Sequence, residues 1–408
     1  MLARLRFGFV RGIVAGAICL LAMTGAGEVS GGGPSMPQVE APYDQEYVVN
    51  VLDEVPGLPE AYAGLTFMAG DPNTLLIGVN AGDDIGGIYE VSVARDPEGH
   101  ITSFVGEAER YADAQYIDGG LAYGPDGVLF YSRFNFPMVE IGQVKPGSDT
   151  TDRVIDLEPL GVKTSPGGLN FVPSGFPGAG MLKLTSHGDG DWYELAISAA
   201  GDGTYDVTSA ETRADLQNSS ENFSFVPEES PFFDGPSSWT LLNESGFQSI
   251  AAYELDADGD PIASSREVFV SDADGVNGSV FDPLTGDLLV TDNNNPRLYR
   301  VSGFASPPQY LKGDNNCDGA ANALDALSGL QFVAGLPVNQ EEGCQQLGEP
   351  VGVAASPAGD AAVFGDIDCD EDVDAVDSLL ILTFVAGLPV NLPQGCAALE
   401  TAVPAASS

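Results

Sequence analysis

The sequence is short of positive charge, of histidine and of long apolar runs. It carries 15 Lys and Arg against 60 Asp and Glu in 408 residues, a formal charge of −45. Nucleic acids and anionic membranes bind proteins through displaced counterions, so this balance argues against both as partners. The two histidines, His100 and His187, leave few candidates for a histidine-based nucleophile relay. No HExxH, serine nucleophile elbow or phosphate-binding glycine loop occurs. The apolar segment Ile13–Met23 is too short to remain in a bilayer as a span. With Arg4, Arg6 and Arg11 before it and small residues from Thr24 to Gly27 after it, it reads as a secretory signal over residues 1–27. The mature chain is then expected outside the cell or at its surface, with no membrane contact. Its four remaining cysteines all lie near the C-terminus and would meet an oxidising compartment.

What is present is enough apolar material for a sizeable core: 43% hydrophobic residues, with 20 Phe, 13 Tyr and 2 Trp. After a Gly/Pro-rich lead over residues 28–43, a spaced similarity covers residues 44–304. Its units include "YIDGGLAYGPDGVLFYSRFNFPMVEIGQV" and "GVNGSVFDPLTGDLLVTDNNNPRLYRV". Each gives a small residue, an apolar strand, a Gly/Pro/Asp turn, a second strand, a polar loop and a third strand. Leu65, Leu121, Leu169, Phe223 and Val280 mark a spacing of about 50 residues, the size of a propeller blade. Amphipathic stretches such as "ITSFVGEAE" and "SREVFVSD" supply fourth strands, and "EYVVNVLDEV" stands alone before the first unit. The expected fold is therefore mainly β, a five-bladed β-propeller closed by its N-terminal strand and followed by a small helical domain. The stretched fourth unit leaves six blades open. A β-sandwich would not predict the same turn inside every unit.

Residues 305–312 read as a linker, residues 313–396 as a second domain and residues 397–408 as a disordered tail. The second domain repeats itself over 313–344 and 365–396. In the first repeat, Asp314, Asn316, Asp318, Asn322 and Asp325 occupy positions 1, 3, 5, 9 and 12 of a twelve-residue loop. Ala320 offers a carbonyl at position 7, and Gly319 makes the turn at position 6. Oxygen-only donors in this order suit calcium. The second loop matches with Asp366, Asp368, Asp370, Asp372, Asp374 and Asp377, and carries Glu371 where the turn glycine would be. An acidic turn or helix cap explains one such cluster, but two in the same register, each leading into a helical apolar pattern, point to structural calcium.

Paired "GDxxxDGxxNxxD" loops, each followed by one helix, resemble the type I dockerin module of cellulosomal proteins. The resemblance covers about Gly313 to Gly395. It implies a calcium-stabilised pair of loop–helix units that docks to a cohesin on a scaffold or cell surface, in a setting of polysaccharide catabolism. The family's recognition positions, often hydroxylated, are Ala323, Leu324, Ala375 and Val376 here, and the inter-repeat segment is longer than usual. Cys317 and Cys369 take a non-ligand loop position, and Cys344 and Cys396 each follow 27 residues later. A chain returning along a helix of about 18 Å can close Cys317–Cys344 and Cys369–Cys396, the favoured pairing of three.

In a blade, the loop before the first strand and the loop between the second and third emerge on one face. Glu60, Asp118 and Glu221 stand before first strands; His187, Asn243, Asp292 and Asn293 follow second strands. Converging carboxylates and amides can hold calcium and polarise an ester, as in the propeller lactonases that "TDNNN" (Thr291–Asn295) resembles. The alternative is a set of ordinary hydrophilic loops. Trp192, Tyr193 and Trp239 are sugar-stacking candidates or core. The leading expectation is a secreted docking protein whose propeller binds carbohydrate or protein. An extracellular hydrolase of glycosidic, ester or lactone bonds is the alternative, with a structural surface protein third.

Overall fold

The computed structural model describes residues 36–306, 309–341, 344–348, 350–351, 362–370, 372–393, 396, 398–400 and 402–404. The expected signal segment, Cys19 and Glu371 lie outside these residues.

Five antiparallel sheets form the five blades. Blade 1 is Leu65–Met68, Asp71–Val79, Gly87–Arg95 and Ile101–Asp113; blade 2 is Ile117–Tyr123, Leu129–Asn135, Met138–Val144 and Arg153–Asp156. Blade 3 is Pro166–Phe171, Leu182–Ser186, Asp191–Ala199 and Tyr205–Asp215; blade 4 is Ser220–Phe225, Trp239–Glu244, Ser249–Glu254 and Glu267–Ser271. Blade 5 is Val276–Phe281, Leu288–Asp292 and Arg297–Ser302, completed by Val48–Leu52 from the N-terminal side. First strands touch in sequence around the ring and are buried over most of their length, polar residues included: every residue of Ile117–Tyr123 is buried. Outer strands such as Ile101–Asp113 face solvent over much of their length and keep only scattered buried positions. This gradient from axis to rim is what a strand sandwiched between two blades requires.

The stretched fourth unit is not a sixth blade. Its extra residues form the connection from residue 226 to 238 between the first two strands of blade 4. Blade 4 also gains an outer strand, Gln38–Val39, and Tyr43 is buried among Tyr47, Phe233 and Phe269. The stretch read as a lead thus contributes to the propeller core.

Glycine permits the closeness at the axis. A Cβ on Gly119 would lie 2.0 Å from the Glu221 carbonyl oxygen, and one on Gly167 2.2 Å from that of Ser220. The first strands are irregular where they enter the axis, and hydroxyls from second strands satisfy the displaced amides. Gly120 N–H donates to Ser132 Oγ, Gly168 N–H to Thr185 Oγ1 and Gly278 N–H to Thr291 Oγ1 at 2.8–2.9 Å. Each hydroxyl in turn reaches a carbonyl of the next blade, on Gly167, Ser220 and Ala63 respectively. Small residue, hydroxyl and neighbouring carbonyl form a clasp repeated around the ring.

The C-terminal part holds helices α1 (Ala323–Val333) and α2 (Ala375–Val385), which pack through Gly329 against Ser378. Each begins with a capping box, Asn322 with Asp325 and Asp374 with Asp377, so the last residues of each acidic loop also start the helix. Disulfides join Cys317 to Cys344 and Cys369 to Cys396. Within the stretches expected as linker and tail, Gln309–Leu311 pairs with Ala402–Pro404, bringing the two ends of this part together. Tyr310 set edge-on to Phe364 and the burial of Leu399 explain why these segments hold structure. Among the described residues, no helix is long and apolar enough to cross a membrane.

Candidate functional site

Because Gly119 meets the Glu221 backbone, the axis is closed a short way below the face that carries the loops between second and third strands. Above this floor, Asp118 and Asn277 start the first strands of blades 2 and 5, Glu221 starts that of blade 4, and His187 follows the second strand of blade 3. Asp118 is 8% exposed and Asn277 4%. The Asn277 side chain and Gly119 N–H hydrogen-bond Asp118, yet burial, and then the Glu221 charge, push its carboxyl well above the ordinary carboxylate range. His187 Nδ1 lies 2.5 Å from Glu221 Oε1, and Ser245 Oγ donates to the same oxygen at 3.0 Å. The hydrogen bond to Glu221 raises the His187 pKa against the opposing effect of burial. Asn277 Oδ1 is buried with no hydrogen-bond partner. Two carboxyls that feel each other's charge, one of them beside an orphaned amide oxygen, are oxygen donors of the kind a hard cation takes, although Asp118, Glu221 and His187 are not gathered within 4.8 Å as the carboxylates of the C-terminal loops are.

The other face residues are placed differently. Asn243 occupies the clasp position of Ser132, Thr185 and Thr291, donating to the Asn277 carbonyl at 2.7 Å. Asp292 is fully buried and accepts from Tyr299, Arg297 and Asn295, so it holds blade 5 together. Glu244 holds the equivalent place in blade 4 with Tyr253 and Arg266. Asn293 donates to the Tyr62 carbonyl at 3.4 Å, and the Glu60 side chain is exposed. Asp118, Glu221 and His187 are brought together; Glu60, Asp292 and Asn293 are not part of that group. Trp192 and Tyr193 are core, whereas Trp239 is partly exposed. His100 pairs with Asp287 at 2.7 Å.

Sequence reading passed over Asn277. Its signal was present: it stands one residue before the small residue of "NGS", as Asp118 does in "DGG".

In the C-terminal loops, carboxylate oxygens of Asp314, Asp318 and Asp325 lie within 4.8 Å of one another, as do those of Asp366, Asp368 and Asp377 and those of Asp372, Asp374 and Asp377. In the first loop backbone amides hold them: Gly319 N–H donates to Asp314, Asn316 N–H and Asn322 N–H to Asp325. Asn316 and Asn322 direct their amides to Asp318. Ala320 and Asp370 lie in the same turns, Asp370 N–H reaching Asp366 and Asp372 N–H reaching Asp370. Burial raises the pKa of Asp325, Asp368 and Asp377, with neighbouring carboxylates adding to it. The first loop has no Lys or Arg partner among the described residues, so its charge is uncompensated. The second is overlooked by Lys312, 5% exposed, whose ammonium donates to the sulfurs of Cys369 and Cys396 at 3.1 and 3.0 Å.

A further acidic group, Asp256, Asp258 and Asp260, is neutralised within the protein. Lys183 Nζ lies 2.6 Å from Asp260, and Arg213 bridges Asp258 and Asp260.

Fold and site together define a five-bladed β-propeller with a closed, acidic mouth. No family model and no curated protein matches the chain. Among solved structures, the calcium structure of a Carbohydrate-Active Enzymes family AA12 protein from Trichoderma reesei is 12% identical, covering 65% of this chain and 97% of its own, with a TM-score of 0.36. A calcium-binding protein, regucalcin, from Agrobacterium tumefaciens is 16% identical over 64% and 97%, at 0.37. An auxiliary nutrient binding protein from Bacteroides ovatus is 12% identical over 63% and 76%, at 0.36. These are likenesses of fold.

Proposed function

We propose that the propeller is an extracellular hydrolase of ester or lactone bonds acting at the closed mouth. The observation that carries this reading is the charge that Glu221 exerts on the buried Asp118, with the orphaned Asn277 oxygen on the same side of the axis. Asp118, Glu221 and Asn277 would hold a divalent cation, which supplies Lewis-acid polarisation of a carbonyl when bound. His187 and Ser245 fix the Glu221 carboxylate, and the glycine floor excludes water from below. Purified protein supplied with calcium, then manganese, should turn over p-nitrophenyl acetate or a sugar lactone. Asp118→Asn and Glu221→Gln should each lower kcat/KM by about a hundredfold or more. Absence of turnover across esters and lactones with every cation overturns the assignment.

The C-terminal loops would bind two calcium ions, and the helices would carry the chain to a cohesin-like scaffold or surface partner. The exposure of apolar side chains supports docking: Leu324, Leu327 and Leu330 on α1 and Val376, Leu379 and Leu382 on α2 stand at equivalent positions and are 41–60% exposed. Calorimetric titration of the full chain with calcium, then with a type I cohesin, tests this. Calcium uptake with no cohesin response would leave a stabilised stalk in place of a docking module.

A further inference from the structure

The longest hairpin connection in the propeller, from residue 226 to 238 of blade 4, lies on the face opposite the acidic mouth. Blade 2 makes the corresponding turn with Gly124–Val128, a tight loop around Pro125 and Gly127. Connections of this length within a compact domain are uncommon, and those that are ordered are often functional. Here the connection builds a cavity of about 300 Å³.

The cavity is held open by a rigid frame. Ser230 is fully buried: its hydroxyl donates to the Pro227 carbonyl at 2.7 Å and accepts from Ala305 N–H at 3.1 Å. Tyr47 OH donates to the Pro231 carbonyl at 2.6 Å, and Phe233 is buried against Tyr43 and Phe269. Glu229 and Phe232 adopt left-handed backbone conformations, φ 63° and 67°, which cost energy and persist where the surroundings impose them. The walls are therefore set before any ligand arrives.

Its lining has two kinds of surface. Trp239 and Phe176 supply aromatic rings to the lining, and Trp239 is fixed in a T-shaped contact with Phe233, centroids 5.4 Å apart. Glu228, Glu229 and Asp234 stand around them, with no Lys or Arg partner among the described residues, next to Ser238. Flat aromatic faces take the apolar C–H face of a pyranose ring, while carboxylates accept hydrogen bonds from its hydroxyls. Three unpaired acids repel uronic or sulfated sugars.

We infer that this cavity is a binding site for a neutral sugar, one or two rings long, separate from the acidic mouth. Trp239 stacks on the ring, and Glu228, Glu229 and Asp234 accept from its hydroxyls. The site is independent of whether the mouth is catalytic.

The chain has two tryptophans, and Trp192 is completely buried with its indole N–H donating to Asp260. Acrylamide quenching of the full chain therefore reads Trp239. Titration with cellotriose, xylotriose, mannotriose and maltotriose should protect it saturably for at least one trisaccharide, with Kd between about 10 µM and 1 mM. Trp239→Ala should abolish the heat of binding in calorimetry. Glu228→Gln with Asp234→Asn should weaken binding at least tenfold with the unfolding midpoint unchanged, so a folding defect in the first variant does not decide the matter. No protection by any trisaccharide at 10 mM, or protection by tetramethylammonium alone, overturns the inference; the second result would make this a cation site.

Discussion

Lys183 is fully buried, and its ammonium meets Asp260 at 2.6 Å and Glu194 at 2.7 Å. Asp260 also accepts from Trp192 and Arg213, so one carboxylate joins blade 3 to the hairpin of blade 4. Neutralising Asp260 leaves the buried Lys183 ammonium with Glu194 as its remaining carboxylate and takes a charged acceptor from Trp192 and Arg213. Asp260→Asn should therefore cost about 3–5 kcal/mol, equally with calcium or with chelator, in urea unfolding. A loss that calcium reverses would instead make Asp256, Asp258 and Asp260 a metal site. His187 gives a second prediction. Its folded pKa lies above the unfolded value of 6.5, so the stability of its pair with Glu221 is fully present below pH 6.5 and is lost as pH rises through the raised value. NMR titration should place the His187 midpoint above 6.5, and Glu221→Gln should bring it back down. An unchanged midpoint in the variant would show that Glu221 is not the cause.

At the scale of elements, each acidic loop is continuous with the first turn of a helix, because Asp325 and Asp377 cap the chain they follow. Chelation should melt α1 and α2 while leaving the main propeller transition in place, read by circular dichroism and scanning calorimetry. Calcium at a hundred times Kd restores about 2.7 kcal/mol per site. Lys312 would oppose a cation at the second loop. Burial lowers its pKa from 10.5 to about 8, although Asp366, Asp377 and Asp368 pull the other way. The folded state binds this proton less tightly than the unfolded one, so stability rises with pH between about 8 and 10.5. Lys312→Met should then strengthen calcium binding at the second loop at least about threefold at pH 7, with the gain fading as pH rises through about 8 and the folded-state ammonium loses its proton. Much of this architecture was legible. The blades were readable because each buries an apolar strand and ends it at a Gly/Pro/Asp turn, and "EYVVNVLDEV" had no partner of its own until the ring closed. The mouth was only half legible. Asp118 and Glu221 occupy the expected side, but Asp292 and Asn243 look identical to site residues in sequence. What distinguishes them is the partners they meet: Arg297 and Tyr299 for Asp292, a neighbouring blade's carbonyl for Asn243. The Asp292 partners lie across a hairpin five and seven residues on and the Asn243 partner 34 residues on, and neither pairing shows until the strands are aligned. At the ends of the C-terminal part, Gln309–Leu311 and Ala402–Pro404 are strands only because each finds the other, about 90 residues away.

For the whole molecule, the decisive feature is that five blades leave no room at the axis. With few blades the inner strands crowd until backbone meets backbone, and the glycine pairs of "DGG" and "PGG" are what allow it. The same contact makes the floor on which Asp118, Glu221 and Asn277 converge, so stability and site geometry share one cause. Gly119→Ala tests this directly. Its Cβ would stand 2.0 Å from the Glu221 oxygen and 2.8 Å from its carbonyl carbon, and backbone held in a clasp on both sides cannot yield cheaply. The expected cost is about 3 kcal/mol. Gly106→Ala is the control: this glycine has φ +79° and nothing within 4 Å of a Cβ, so only its conformational strain, about 1 kcal/mol, applies. Urea unfolding should separate the two variants by about 2 kcal/mol, and only Gly119→Ala should alter cation binding at the mouth. If both lose the same stability, the axis is looser than described, and a mouth with an open floor would admit water to the proposed site from below.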